Sequence, residues 1–177
     1  DQLPHLELAR EITRRFNHLY KKSLFPEAKD MLTEIPLLPG TDGRKMSKSY
    51  GNTIPISDDP DSLQKKVMKM KTDPNRIRRD DPGNPDICPV FAYHKIFNTS
   101  DQVQTIDADC RKGTIGCVDC KKACAKTIID TLAPVTEKRR YFETHTDEVM
   151  DVLKAGAKKA RPIAQRTISE VREAIGL

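Results

Sequence analysis

Two lysines three residues apart lie in a short run of the chain that is bounded by glycines. Lys45 and Lys48 belong to the segment 45–49, Lys-Met-Ser-Lys-Ser, which follows Gly43 and precedes Gly51. Lysine supplies a compact positive charge with three rotatable donors. A mobile loop that brings two such charges over a polyphosphate can stabilise the charge that develops as pyrophosphate leaves. The pattern therefore predicts phosphate chemistry, and a basic surface loop is the plainer interpretation.

Four cysteines form the second pattern that indicates chemistry. Cys88, Cys110, Cys117 and Cys120 are spaced C-x21-C-x6-C-x2-C, and Cys124 follows one helical turn later. A C-x-x-C pair at the start of a helix lets two thiolates converge on a metal, and a third ligand often comes from the preceding loop. Ligation by sulfur alone suits zinc as well as an iron–sulfur cluster. Cys124 lies on an apolar stripe, where a simple buried thiol is the alternative.

The net charge of +5 is modest and unevenly placed. Between Gln64 and Asp80 there are seven Lys or Arg against two Asp, and from Lys154 to the end six face two Glu. Clusters of this kind are candidates for contacts with nucleic-acid phosphates, which give affinity rather than sequence discrimination. Solvated helix faces are the alternative for any single residue.

The elements that must position these residues are mostly helices. Apolar residues at intervals of three and four, with proline or capping residues at the starts, predict helices at about 4–20, 60–71, 89–97, 101–110 and 117–143. A kink is expected at Pro134, and a further helix from Thr146 is expected to end at Pro162, before a last helix that ends near Gly176. A short strand ending near Leu38 is predicted just ahead of the lysine pair, and residues 72–85 read as a loop.

Composition excludes one class of function. Hydrophobic residues make up 37% of the chain and charged residues 32%, and no apolar run approaches the roughly 20 residues that cross a bilayer. A membrane role is therefore not expected. Aromatic residues make up only 5%, so few side chains are available to stack on bases.

Three segments carry a resemblance to one family. Residues 45–49 are identical at all five positions to the KMSKS signature loop of class I aminoacyl-tRNA synthetases. The opening, Asp1 to Arg10, resembles the Gly-x-Asp-Gln-x-x-His-x-Glu-x segment of tryptophanyl-tRNA synthetases, without its glycine, and 72–85 resembles bacterial members. The similarity covers essentially the whole chain, and it identifies the chain as a C-terminal half of a synthetase of the bacterial type.

The resemblance implies a fold and a division into domains. The expected fold is mainly α, with a C-terminal helical anticodon-binding domain preceded by the tail end of a Rossmann-like α/β nucleotide-binding domain. Residues 1–56 would be the remnant of the catalytic domain with the KMSKS loop, and residues 57–177 the helical domain with the cysteines. Because the His-x-Gly-His-like element that holds ATP would lie upstream, the isolated fragment is expected to be inactive.

The resemblance also implies an activity and its partners. The whole enzyme would use ATP and Mg²⁺ to attach tryptophan to tRNA(Trp) in the cytoplasm, as a homodimer. Lys45 and Lys48 are then the catalytic residues that stabilise the triphosphate. The expected ligand contacts are a hydroxyl from Ser47, the main chain of Met46 on the adenine, Asp1 on the ATP ribose and Gln2 near the amino acid.

Some bacterial tryptophanyl-tRNA synthetases carry a 4Fe-4S cluster on a C-x22-C-x6-C-x2-C pattern, which this chain matches but for one residue in the first gap. A loop absorbs such a deletion readily. The resemblance therefore favours a 4Fe-4S cluster on the four cysteines over Zn²⁺ or an empty site, and the cytosol disfavours disulfides. Such a metal would fix the Gly-rich loop 113–116 and orient nearby basic residues for RNA, namely Arg111, Lys112, Lys121 and Lys122.

Two other interpretations remain. The chain could be a stand-alone metal-bearing RNA-binding module in which the KMSKS loop has no substrate. It could also be a fragment of a tyrosyl-type synthetase, although the segment 72–85 and the cysteine pattern argue against that.

Overall fold

The structure, a computed structural model, describes residues 2–32 and 37–177. The regular elements of these residues are helices. The α-helices are α1 (Leu3–Leu19), α2 (Pro60–Met68), α3 (Pro89–Phe97), α4 (Ser100–Lys112), α5 (Cys117–Thr144) and α6 (Thr146–Ile175). Two short 3₁₀ helices, Lys48–Tyr50 and Pro85–Ile87, lie in the connections.

Local sequence explains where the shorter helices begin and end. The carboxylate of Asp59 accepts a hydrogen bond from the main-chain N–H of Ser62 over 2.9 Å and caps α2. Thr99 and Gln102 form a reciprocal capping box at the start of α4. Gly113 ends α4 at a φ of 73°, in the left-handed region that favours glycine.

The chain divides into two units. One contains the described residues of Asp1–Thr33 and of Arg140–Leu177, and the other contains those of Glu34–Arg139. The cysteines and the two lysines of the KMSKS-like segment belong to the second unit.

The core of the second unit joins three helices. Its buried members come from α2 and the turn after it, from α3, and from the first half of α5: Leu63, Val67, Met70, Val90, Tyr93, Cys124, Ala125 and Ile128. Leu38, Met46 and Ile54 are partly buried against this cluster. The segment with the two lysines is therefore packed on the helical core at both of its ends and at Met46.

The first unit contains α1, α6 and the connections next to them. The side chain of Asn17 holds the turn after α1, because its Nδ2 donates to the main-chain oxygen of Phe25 over 2.7 Å and its Oδ1 accepts from the N–H of Leu24 over 3.1 Å. Lys22 pairs with Glu173 of α6 over 3.8 Å. The helices in the described part of the chain all lack a segment apolar and long enough to cross a bilayer.

The predicted fold class is wrong in its α/β part. The described residues contain no strand, and their β pairing is a single antiparallel bridge between Pro39 and Lys45. The predicted strand near Leu38 lies partly on residues 33–36, outside the described residues, and Leu37 and Leu38 themselves form no strand. Pro26, Pro39 and Pro55 each lack a main-chain donor, which disfavours the extension of this single bridge into a longer strand. The division of the chain at residue 56 stays a prediction.

The helix predictions are confirmed except near Pro162. The α-helices begin and end within about three residues of the predicted positions, and α5 runs through Pro134. A break at Pro162 was expected, but α6 continues through it to Ile175. The flanking residues include strong helix formers such as Lys159, Ala160 and Ala164, which offset the one hydrogen bond that proline removes.

Replacement of Ile128 tests the core of the second unit. Ile128 is 2% exposed in the cluster, so Ile128→Ala should lower the free energy of unfolding by about 2–5 kcal/mol. Ile163 of α6 is 62% exposed, so the matched change Ile163→Ala should cost less than about 0.5 kcal/mol. Urea unfolding of both variants measures this, and equal effects would contradict the core.

Candidate functional site

Residues 40–52, here called the lysine loop, form a closed turn on the core. The bridge between Pro39 and Lys45 closes its first part, residues 40–44. The N–H of Gly40 donates to the main-chain oxygen of Arg44 over 2.7 Å within this part. The N–H of Thr41 donates to the main-chain oxygen of Asn52 over 2.9 Å and closes the loop at its base.

The side chain of Asn52 lies at the centre of this loop. It is 2% exposed. Its Nδ2 donates to Oδ1 of Asp42 over 2.7 Å and to the main-chain oxygen of Lys45 over 3.0 Å. Its Oδ1 accepts from the N–H of Ser47 over 2.8 Å. One buried amide therefore binds three points of the loop, including the residues on both sides of Met46.

The carboxylate of Asp42 is the charged partner of this amide. The hydrogen bond from Asn52, with those from the side chain and main chain of Arg44, lowers the pKa of Asp42 to about 2. Asp42 is therefore ionised at neutral pH and only accepts hydrogen bonds. The guanidinium of Arg44 also lies 4.6 Å from the ring centroid of Tyr50, a cation–π contact across the loop.

The predicted catalytic lysines are on the outer side of the loop. Lys45 and Lys48 are exposed, and Lys48 begins the 3₁₀ helix Lys48–Tyr50. Met46, between them, packs against the core. The hydroxyls of Ser47 and Ser49 lie 3.0 Å apart. The structure therefore places two exposed ammonium groups on a backbone that is held from inside.

The other predicted ligand contacts lie at the start of the chain. Gln2 is exposed directly before α1, and its main-chain oxygen accepts from the N–H groups of His5 and Leu6, each over 3.1 Å. Asp1 lies outside the described residues. Gln2 belongs to the first unit and the lysine loop to the second.

The four cysteines of the predicted metal site, here called the cysteine site, lie at the ends of three helices. Cys88 precedes α3, Cys110 is in the last turn of α4, and Cys117 and Cys120 are in the first turn of α5. These four thiols and Cys124 are not in disulfides. Burial, with a smaller contribution from the nearby thiols of Cys88, Cys110 and Cys117, raises the pKa of Cys120 to about 12. The four thiols are thus close enough to interact electrostatically.

These thiols do not converge on one point. Within residues 2–32 and 37–177, no three Cys, His, Asp or Glu side chains are close enough to hold a single metal ion. The structure therefore does not confirm the predicted metal site.

Arg76 joins the cysteine site to the loop before it. Its Nη1 donates to Sγ of Cys110 over 3.9 Å and its Nη2 donates to the main-chain oxygen of Ile115 over 2.7 Å and to that of Arg79. The Nε of Arg76 is buried and has no partner among the described residues. A Cβ at Gly83 would lie 2.7 Å from Sγ of Cys110, so the loop and the end of α4 are in close contact there.

Basic residues near the cysteine site divide into paired and unpaired ones. Arg111 binds Asp86 over 2.8 Å and Asp107 over 2.9 Å, which raises its pKa above the ordinary value. The Nζ of Lys121 donates to the main-chain oxygen of Met68 over 3.2 Å. These two side chains hold the structure together and are less available for RNA than sequence reasoning suggested.

Lys112, Lys122 and Arg78 are different, because each is exposed and has no ion pair in the described part of the chain. They are the better candidates for contacts with an anion. Sequence reasoning found Lys112 and Lys122 but gave them the same weight as Arg111 and Lys121.

Sequence reasoning missed Asn52 and Arg76. Asn52 follows Gly51 in a polar stretch and looks like an ordinary loop asparagine. Arg76 is one of seven basic residues between Gln64 and Asp80. The only available signal was position, since Asn52 lies just after the 45–49 motif.

The comparison with protein families identifies the class to which this fold and this loop belong. The model of the class I tRNA synthetases of the W and Y type matches residues 1–133. Because this match covers most of the chain, the chain belongs to the class I tRNA synthetases of the tryptophan and tyrosine group.

Relatives within that family point to the tryptophan branch. The chain is 54% identical over 178 aligned residues to a tryptophan–tRNA ligase of Aquifex aeolicus, covering all of this chain and 45% of that protein. It is 48% identical to a tryptophan–tRNA ligase of Thermotoga maritima, covering 54% of that protein. The chain therefore spans about half the length of the curated relatives that it matches.

Solved structures agree with this assignment. The tryptophanyl-tRNA synthetase of Campylobacter jejuni, in a complex with ADP and tryptophan, matches with a TM-score of 0.77 and 29% identity, covering 99% of this chain and 55% of that chain. That of Aeropyrum pernix matches with a TM-score of 0.59 and 28% identity, covering 75% of this chain and 36% of that chain.

The family match also corrects the predicted arrangement of the fold. It runs from residue 1 to residue 133. The helical residues up to 133 therefore belong to the matched synthetase domain. The expectation of a nucleotide-binding remnant followed by a separate C-terminal anticodon-binding fold is wrong.

Proposed function

We propose that this chain is part of a tryptophan–tRNA ligase, an enzyme of the cytoplasm that uses ATP to attach tryptophan to tRNA(Trp). The lysine loop carries the proposal, because it presents two exposed lysines on a backbone that Asn52 holds from inside. Such an arrangement can bring positive charge to a triphosphate in a fixed geometry. The similarity to tryptophan–tRNA ligases over the whole chain supports the choice of amino acid.

In this proposal the ammonium groups of Lys45 and Lys48 bind the triphosphate of ATP, together with Mg²⁺. The carboxylate of tryptophan attacks the α-phosphorus, the bond to the bridging oxygen breaks, and pyrophosphate leaves with the negative charge. The two lysines stabilise that charge as it develops. Ser47 supplies a hydroxyl donor, and the main chain at Met46 contacts the adenine. Asp1 and Gln2 contact the ribose and the amino acid.

Replacement of Lys48 in the full-length ligase that contains this chain tests this role. Lys48→Ala should slow adenylate formation by about a hundredfold or more, because one preorganised positive charge is lost from the transition state. Pyrophosphate exchange measures the rate. Lys29 is also an exposed lysine but lies outside the loop, so Lys29→Ala should leave the rate unchanged. An unchanged rate in Lys48→Ala would remove the lysine loop from the mechanism.

We also propose that the helical part of the chain binds the anticodon arm of the tRNA through unpaired basic side chains. Lys122 and Lys126 lie one turn apart on α5 and differ in their partners. Lys126 pairs with Asp130 over 2.7 Å, whereas Lys122 is exposed without an ion pair in the described part of the chain. A charge that is already neutralised releases fewer counterions on binding phosphate.

Binding of tRNA at several salt concentrations tests this surface. Lys122→Ala should weaken binding and reduce the slope of log K against log salt by about one, because one phosphate contact is lost. Lys126→Ala is the matched control and should change the slope by much less. Equal slopes for wild type and Lys122→Ala would exclude Lys122 from the interface.

The third proposal is that the cysteine site holds a 4Fe-4S cluster, with Zn²⁺ as the alternative. Two observations support a shared group at these cysteines. Besides burial, the thiols of Cys88 and Cys117 raise the pKa of both Cys110 and Cys120. The buried Nε of Arg76, without a partner in the described residues, lies in the side chain that contacts Cys110 and could donate to a sulfur. The cluster would stabilise the loops locally, since aminoacylation transfers no electrons.

Metal analysis of anaerobically purified protein tests this proposal. Broad absorbance near about 400 nm with roughly four iron atoms per chain is expected. Cys110→Ser should lose most of the iron, whereas Cys124→Ala should keep it, because Cys124 is buried in the hydrophobic core instead. If the protein contains zinc and no iron, the site binds zinc instead of a cluster. If it contains neither metal, the four thiols are structural.

A further inference from the structure

We infer that Asn52 is the positioning residue of the lysine loop, which determines where Lys45 and Lys48 meet the phosphates of the nucleotide. The inference rests on the function proposed above and adds a residue to it. Asn52 does not contact the substrate in this account. It acts through the main chain of the residues that it binds.

The hydrogen bonds of Asn52 hold the middle of the segment 45–49. The carboxamide binds the main-chain oxygen of Lys45 and the main-chain N–H of Ser47, so it holds the backbone immediately before and after Met46. Lys45 is one of the two lysines, and Lys48 directly follows Ser47.

Only an amide side chain fits the three partners of Asn52. The Nδ2 faces two acceptors, the carboxylate of Asp42 and the main-chain oxygen of Lys45, while Oδ1 faces the N–H of Ser47. Both donors of the amide are used, and the orientation of the side chain is fixed by its partners. An aspartate at this position would lack both donors and would bring a second carboxylate against Asp42. A serine would be too short to reach all three groups.

The carboxamide of Asn52 lies in close contact with Gly40. A Cβ at Gly40 would lie 2.3 Å from Nδ2 of Asn52 and 2.4 Å from its Cγ. These distances are too short for any real contact, so Gly40 leaves the space in which the carboxamide lies. The two residues therefore depend on each other.

Hydrogen bonds connect Asn52 and the base of its loop to the core. The main-chain oxygen of Asn52 accepts from the N–H of Thr41 over 2.9 Å, and the oxygen of Thr41 accepts from the N–H of Lys71 just after α2, also over 2.9 Å. The hydroxyl of Tyr93 donates to the main-chain oxygen of Pro39 over 2.8 Å. The base of the loop is thus fixed to α2 and α3. Asn52 links this fixed base to the main chain of Lys45 and Ser47.

A residue with this role has a recognisable kinetic effect. Without the carboxamide, both lysines keep their charge and can still attract ATP, but they occupy a wider range of positions. Ground-state binding depends mainly on charge, whereas the transition state also depends on geometry. Loss of Asn52 should therefore lower kcat for adenylate formation more than it changes the KM for ATP.

The test uses pyrophosphate exchange in the full-length ligase that contains this chain. Asn52→Ala should lower kcat by about tenfold or more and change the KM for ATP by less than about threefold. Gln104 of α4 also carries an exposed amide outside the loop, so Gln104→Ala should leave both parameters unchanged. A thermal unfolding midpoint for each variant shows that the protein compared is folded.

Two further variants keep the test decisive if Asn52→Ala does not fold. Gly40→Ala should lower kcat in the same direction, because the new methyl group would lie 2.3 Å from Nδ2 and 2.8 Å from the main-chain oxygen of Asn52. The part of its effect that comes from the carboxamide should be lost in a background that carries Asn52→Ala. Asn52→Asp should be more damaging than Asn52→Ala. The exchange Asp42→Asn with Asn52→Asp restores an amide–carboxylate pair and should recover part of the loss.

The outcomes separate this inference from the proposed function. If Lys48→Ala slows adenylate formation but Asn52→Ala and Gly40→Ala leave kcat unchanged, the positioning role is wrong and the proposed function stands. A rise in the KM for ATP at constant kcat would also overturn it. If Lys48→Ala has no effect, the proposed function itself fails.

Discussion

The structure of the lysine loop depends on one buried carboxamide. A buried amide is stable only when its donors and acceptors are satisfied, and Asn52 satisfies both donors and one acceptor site with groups of the same loop. One of these groups is the ionised carboxylate of Asp42, so that hydrogen bond is of the stronger, charge-assisted kind. The result is a polar centre that holds the main chain while the charged side chains of Lys45 and Lys48 remain exposed.

The helical core gives this polar centre a fixed position. Met46 packs against the cluster formed by α2, α3 and α5, and the loop base is bonded to Tyr93 and to the turn after α2. A loop attached in this way can change the orientation of its outer side chains without losing its base. This combination is what a catalytic loop needs, since it must be both ordered and able to respond to a ligand.

Much of the helical structure could be predicted from the sequence, but the fold class could not. Helix starts could be predicted because proline and capping residues mark them in the local sequence, as at Pro60, Pro89 and Thr99. The strand predicted near Leu38 is not present at Leu37 and Leu38. A short apolar run does not show whether a partner strand is available. Pro162 was overestimated as a break, because good helix formers on both sides offset its cost of about 3 kcal/mol.

The parts of the candidate site that belong to a sequence motif could be proposed from the sequence. The parts that depend on three-dimensional contacts could not. The segment 45–49 and the spacing of the cysteines could be read directly. The amide of Asn52 could not, because its importance comes from burial and from partners brought together by the fold. The same is true of the two carboxylate partners of Arg111, Asp86 and Asp107, which the sequence pattern did not indicate.

The most direct measurement of the central claim is amide hydrogen exchange at Ser47 in this chain. Its N–H donates to Oδ1 of Asn52 and should exchange far more slowly than an amide of an open loop, with the protection lost when Asn52 is changed to Ala. Exchange of the Ser47 amide at the unprotected rate in the wild-type chain would contradict the account.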